Sequence, residues 1–172
     1  LPNLKTLETP IQPEEGKPSI LLLHDDDLSP ENAPLPHQDI VGIALMNGSE
    51  RRSPSGVARN VYDFVEAGLE NAVQRLGNKH VLPTCKAEAG PVLQLAHQTG
   101  AHRIICVHAP IGPTRDAIDD LEIQLGMAKK PNGLVMEIGI RDWDAFCWPY
   151  AKKGFFNFKK KIPVILSNLV VL

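Results

Sequence analysis

The stretch HRIICVHAPIGPTRDAIDDLEIQL, from His102 to Leu125, decides the fold class of this chain. Its first part, His102–Ala109, has the continuous apolar centre of a strand that is buried on both faces. Gly112 and Pro113 then break the strand pattern, and the residues up to position 128 predict a helix with aspartates near its positive end. A buried strand that leads through a short loop into a helix is the repeating unit of a parallel α/β sheet.

The same unit recurs along the chain. Helical spacing of apolar residues predicts a helix over Val57–Leu76, capped by Ser53 or Ser55 and stopped by Gly77. A second helix is expected over Lys86–Gly100. With the strand above, five buried strands indicate an α/β fold, a Rossmann-like, doubly wound parallel sheet in the order 3-2-1-4-5 with helices on both faces. The other four predicted strands are Ser19–Asp25, Asp39–Asn47, Lys79–Thr84 and Gly133–Gly139.

Length and composition narrow the class of protein. A chain of 172 residues can bury a full core without a metal or a disulfide, and its three widely spaced cysteines indicate free thiols in a reducing compartment. The first residues lack the apolar core of a signal peptide, and no apolar run is long enough to cross a membrane. We therefore expect a cytoplasmic protein without a membrane partner. A net charge of −2 argues against general nucleic-acid binding by this chain alone.

The C-terminal part has an unusual composition. Of the nine aromatic residues, seven lie between Trp143 and Phe158, interleaved with lysines. The pattern predicts three regions: an extended arm over residues 1–18, the α/β domain over 19–140 and a helical aromatic and basic segment over 141–172. So much apolar surface predicts docking, as a homodimer or on a separate helical partner. The alternatives are packing on the chain's own core and nucleic-acid binding through the lysines. The predicted docking residues are Trp143, Phe146, Trp148, Tyr150, Phe155 and Phe156.

The loops after the first and fourth strands carry the candidate ligand-binding residues. In a sheet of this order, the strand order reverses between these two strands, and a crevice opens at their carboxyl ends. The aspartates after the first strand can hold a hard cation or simply cap the turn, and we expect no metal site. No catalytic motif is present, so no catalytic residue is assigned; a small nucleotide-binding enzyme that uses these loops is the alternative. The predicted ligand-binding residues are His24, Asp25, Asp27, His108, Gly112 and Arg115.

Several blocks, taken in order, resemble the photolyase and cryptochrome family. The stretch DWDAFCWPYAKKGFFNFKKKIPVIL, ending at Leu166, resembles the segment by which that family leaves its N-terminal α/β domain. ILLLHDDDLSPENAPL occupies the place of the family's first strand and its Asp-Leu-Arg loop. Arg115 and Asp116 match an Arg-Asp pair before a helix, and QRLG at Gln74–Gly77 resembles the end of the helix before the third strand.

The resemblance implies an antenna-type domain linked to DNA photorepair or light sensing. In the family, this domain can hold a folate or deazaflavin, and a separate helical domain binds FAD and carries out repair. The 172 residues do not extend into such a domain, so we expect no FAD on the purified chain and a non-catalytic role in binding a ligand or a partner. The loop His108–Thr114 has neither the carboxylate nor the aromatic of the family's antenna loop, which argues against that chromophore.

Overall fold

The computed structural model describes residues 13–77, 81–126, 134–151 and 154–169, and it contains one sheet of five strands in the order β3-β2-β1-β4-β5. All four strand pairs are parallel. The predicted doubly wound, Rossmann-like fold is therefore confirmed, together with the reversal of strand order between β1 and β4. The strands are β1 Ser19–His24, β2 Ile40–Met46, β3 Thr84–Lys86, β4 Arg103–Val107 and β5 Val135–Gly139.

The central strands have continuous apolar sequences, without alternating polar residues, because both faces of the sheet are covered there. Every residue of β1 and of β4 is buried. Ile20 and Leu22 of β1 join the core on one face of the sheet, whereas Leu21 and Leu23 join the core on the other face. The alternation of side chains along a strand thus divides one continuous apolar sequence between two cores.

The helices cover both faces of the sheet. The helix α1, Arg59–Leu76, connects β2 to β3 and contributes Leu69 and Ala72 to the second core. Helices α2, Ala89–Thr99, and α3, Pro113–Gln124, pack on the opposite face through Leu95 and Ile118. The connection from β2 to β3 runs toward one edge of the sheet, whereas those from β3 to β4 and from β4 to β5 run toward the other edge. Connections of one constant hand therefore place α1 on the opposite face from α2 and α3.

Two predictions about these elements were wrong in detail. The third strand was expected over Lys79–Thr84 but begins only at Thr84, and positions 79 and 80 lie outside the described residues. Pro83 has no N–H for the ladder, although its carbonyl still accepts a hydrogen bond from Ile43 at 3.0 Å. The helix α1 begins at Arg59 rather than Val57, and its N-cap residue is Ala58, so neither Ser53 nor Ser55 caps it; a separate 3₁₀ turn, Ser49–Arg52, precedes these residues.

The C-terminal segment forms short helices after β5, namely α4 Asp142–Cys147, α5 Gly154–Lys159 and α6 Ile162–Leu169, with a 3₁₀ turn Trp148–Tyr150 between α4 and α5. The helix α6 packs against α4, and Ile165 is buried. Of the predicted N-terminal arm, residues 1–12 lie outside the described residues. The following residues are held to the sheet by the buried Arg103, which donates hydrogen bonds to the Glu14 carbonyl at 2.5 Å and to Ser19 Oγ at 2.7 Å.

Candidate ligand-binding cleft

A cleft of about 600 Å³ lies where β1, β4 and β5 end, among the loops that follow these strands. Its volume falls in the range of about 300–1,000 Å³ that small-molecule sites usually occupy. Its position follows from the topology, because the three strands are neighbours and all point the same way. The lining residues are Asp26, Asp27, Leu28, Ser29, Asn32, His108, Pro110, Ile140, Arg141, Trp143, Asp144 and Trp148.

An ion pair between Asp27 and Arg141 ties together two sides of the cleft. Both terminal nitrogens of Arg141 donate to the Asp27 carboxylate, and Nη2 also donates to the Ser29 carbonyl at 2.9 Å. The two side chains, Arg141 and Asp27, are only 13% and 12% exposed. Arg141 immediately precedes α4, so this bridge fixes the start of that helix against the loop after β1. The same hydrogen bond raises the pKa of the Arg141 guanidinium, which therefore stays charged.

Aromatic side chains form the wall on the side of α4. Trp143 lies in α4 and Trp148 follows it, and the two residues are 52% and 43% exposed. The His108 ring meets the Trp148 ring edge-on, with the ring centroids 6.3 Å apart and the planes at 80°. Exposed indole surface beside an open cleft offers stacking area to a planar ligand.

His108 and Asp144 are the two titratable groups in the cleft without a side-chain hydrogen bond among the described residues. Burial, with a smaller effect of Arg115, lowers the pKa of His108 below its usual value, so the imidazole is neutral at pH 7. Burial raises the pKa of Asp144, and the nearby Arg141 opposes that shift. The cleft thus offers one neutral imidazole and one carboxyl group whose hydrogen-bonding capacity the described part of the chain does not use.

The structure brings only two of the six predicted ligand-binding residues, Asp27 and His108, into this cleft. His24 is 1% exposed, and its Nε2 donates to the Val107 carbonyl at 2.9 Å, while its Nδ1 has no partner among the described residues. Because His24 is the last residue of β1, its side chain is packed within the fold instead of lying in the loop. The prediction that His24 lines the cleft was therefore wrong.

The remaining predicted residues are turned elsewhere. Asp25 accepts a hydrogen bond from the Gly48 amide at 3.0 Å and pairs with Arg52 at 2.8 Å, toward the side of β2. Arg115 pairs with Asp119 along its own helix at 2.8 Å. Gly112 stands before α3 with a φ of 156°, outside the lining. The predicted lining by Asp25 and Arg115 was also wrong, so the residues of the enzyme alternative are not assembled in this cleft.

The predicted docking residues divide into three pairs. Trp143 and Trp148 line the cleft, while Phe146 and Tyr150 are half-buried against each other with their ring centroids 6.1 Å apart. Phe155 and Phe156 of α5 are 65% and 77% exposed. These two phenylalanines contact each other edge-on and present exposed apolar surface on α5.

Arg141, Asp144 and Ile140 are cleft residues that sequence reasoning did not assign. All three follow β5 closely, at the same edge of the sheet as the loops after β1 and β4. The predicted strand order already placed β5 beside β4. The position of the loop after the fifth strand therefore already indicated these cleft residues. They were missed because residues 141–172 were assigned to a separate segment.

A second cleft of about 490 Å³ lies at the carboxyl ends of β2 and β3. Arg51 and Asp120, which pair at 2.6 Å, stand on two of its walls. Acidic groups predominate around it, among them Glu50, Glu66 and Glu88. It has a single aromatic lining residue, Tyr62, so it offers less stacking surface than the cleft beside Trp148.

Within the described ranges, no group of three or more His, Cys, Asp or Glu side chains is arranged to hold a metal ion. In the same part of the chain, no helix has both the length and the apolar composition that crossing a bilayer requires. Comparisons with models of protein families, with curated proteins and with solved structures gave no match to this chain.

Proposed function

We propose that this chain is a photolyase-related α/β domain that binds a small planar ligand in the cleft at the ends of β1, β4 and β5. It binds a ligand for a process such as DNA photorepair or light sensing and is not itself the catalyst. The ordered sequence blocks that resemble the photolyase and cryptochrome family support the relationship. The geometry of the cleft supports the binding role.

The observation that carries the proposal is the combination of an open cleft of about 600 Å³ with partly exposed indole rings on its wall. Burying the exposed part of an indole is favourable only when a partner covers it, and a flat ring of similar size covers it best. The contact between His108 and Trp148 holds one of these rings at the edge of the cleft. A planar ligand would then complete a stack that the protein leaves open.

The test is to purify the chain, record absorbance above 350 nm, and extract any bound chromophore for identification by mass spectrometry. Fluorescence titration then measures binding of planar heterocycles, because both tryptophans of the chain line the cleft. The Trp148→Ala variant should lose most of the binding. The matched control is Phe64→Ala, which removes an aromatic ring that is 77% exposed on α1, outside the cleft. Equal loss in both variants, or no saturable binding, would contradict the proposal.

A second candidate function, self-association, is favoured by the surface of α5 and α6. Phe155, Phe156, Val164 and Leu166 are each more than half exposed there. The chain before position 145 contains all 20 acidic and 13 of the 18 basic residues, so it carries a net charge of −7, whereas residues 145–172 carry five lysines and no acid. The basic apolar surface of one copy therefore complements the acidic body of another copy. Light scattering tests this candidate, as set out in the Discussion.

A further inference from the structure

We infer that the ligand of the cleft is a neutral or cationic planar heterocycle with a hydrogen-bond-donating edge held by Asp144, and that a phosphate group contributes nothing to its binding. This inference rests on the proposed function, because it names the chemical class that the same cleft selects. It follows from which charged groups of the cleft are already paired within the protein and which are not.

The cations around the cleft are engaged by the protein's own carboxylates. Arg141 donates to both oxygens of Asp27 and to a main-chain carbonyl. On the other side, Arg52 lies 2.8 Å from Asp25 and 2.9 Å from Asp26. An anionic ligand would have to compete with these carboxylates for the guanidinium groups, and it would face the resulting unpaired aspartates. Phosphate binding at this cleft is therefore disfavoured.

Asp144 favours a ligand that presents hydrogen-bond donors. Its side chain lines the cleft, and among the described residues it has neither an ion pair nor a hydrogen bond. A carboxylate only accepts hydrogen bonds when ionised, so a ligand satisfies it by presenting N–H groups. Both indole rings of the cleft wall lie close to Asp144 along the chain, Trp143 one residue earlier and Trp148 four residues later. A ring stacked on an indole with its amino-substituted edge toward Asp144 would use both features.

The raised pKa of Asp144 supports this arrangement. Burial has removed part of the water that would otherwise solvate this carboxylate. A donor from a ligand replaces that lost hydration, and a cationic edge replaces it more strongly. His108 stays neutral beside it, so the imidazole does not compensate the negative charge of Asp144 at pH 7.

The experiment uses two matched pairs of probes on the full chain, with affinity measured by tryptophan fluorescence and calorimetry. The first pair, 9-methyl-2,6-diaminopurine and 9-methylpurine, differs only in the amino groups at the ring edge. The second pair, adenosine and adenosine 5′-monophosphate, differs only in the phosphate. We expect the diamino ring to bind about tenfold more tightly than its partner, the value of one good charged hydrogen bond. We expect the phosphate to give no gain.

The Asp144→Asn variant should reduce the preference for the diamino ring at least threefold, with the fold checked by circular dichroism. Should that variant lose its fold, the two pairs on the unaltered chain still decide the question. Tighter binding of the monophosphate, or equal binding within the first pair, would overturn the inference and leave the proposed function standing. Absence of saturable binding by all four probes would overturn the proposed function and the inference together.

Discussion

Separating Asp27 from Arg141 should destabilise the fold and open the cleft. The perturbation is a double-mutant cycle with Asp27→Asn, Arg141→Met and the combined variant. Arg141 makes two hydrogen bonds to the carboxylate and one to the Ser29 carbonyl, and the side chains of Arg141 and Asp27 are 13% and 12% exposed. A net hydrogen bond to a charged group contributes about 1.5–3 kcal/mol, and removing one partner leaves the other charge poorly solvated. Arg141→Met should therefore lower the free energy of unfolding by about 3 kcal/mol.

The coupling free energy of the cycle should be about 2 kcal/mol, because Asn still accepts one hydrogen bond and some solvent reaches the pair. Urea denaturation followed by tryptophan fluorescence measures it. The pair Arg59 and Asp63 supplies a matched control, since its two groups lie 2.8 Å apart but its side chains are 82% and 54% exposed. Its coupling should be about 0.3–0.5 kcal/mol.

A coupling for Asp27 and Arg141 no larger than that of the exposed control pair would refute this account of the bridge. A stable Arg141→Met variant whose tryptophan emission matches that of the unaltered chain would refute it as well, because α4 would then hold its place without the bridge. Added salt provides a further check, because screening weakens the exposed pair more than the one between Asp27 and Arg141.

Other contacts lead to three more predictions. Gly48→Ala should lower the free energy of unfolding by about 1–3 kcal/mol in urea denaturation, because the new methyl carbon would stand 2.8 Å from Asp25 Oδ1 and 3.0 Å from Thr114 Oγ1; unchanged stability would show that these groups move apart freely. Phe155→Ser with Phe156→Ser should reduce self-association in size-exclusion chromatography with light scattering while circular dichroism stays unchanged, and an unaltered chain that is monomeric at high concentration would rule out self-association. Burial lowers the folded-state pKa of His108, so its contribution to stability should be lost as pH falls below the unfolded value of about 6.5. In a profile of melting temperature between about pH 7.5 and 5, His108→Gln should therefore reduce the fall in melting temperature toward low pH. An equal slope in both proteins would assign the effect to other groups.

The sequence predicted the sheet well because its signal is local. Each strand is a short apolar run between turn residues, and Gly100 ends α2 in the left-handed conformation with a φ of 69°. The displaced third strand shows the limit of that signal. An apolar run over Val81 and Leu82 favours a strand, but pairing with β2 decides the register, and Pro83 delays the ladder to Thr84. Strand pairing is a tertiary property that no local pattern contains.

The candidate cleft was predicted by position and only partly by residue. Strand topology places the loops after β1 and β4 together, which brought Asp27 and His108 to the right place. The pairing of Asp27 with Arg141 spans 114 positions in the chain, and no spacing rule points to it. Likewise, nothing local shows that Asp25 is engaged by Arg52. A long arginine side chain can reach several carboxylates, so its ion-pair partner is decided by the distances between these groups in the folded chain.

The concentration of aromatic residues after Trp143 has two structural consequences, and they are physically linked. The indole rings of Trp143 and Trp148 stand on the wall of the cleft, while Phe155 and Phe156 stand on the outer surface of α5. The helix α6 packs back on α4 and Ile165 is buried, so the C-terminal end of the segment is joined by packing to the helix that carries Trp143. The start of α4 is held to the β1 loop by the bridge from Arg141 to Asp27. Because α6 packs on α4, we expect an association that displaces α6 to shift α4 and the indole ring of Trp143 as well.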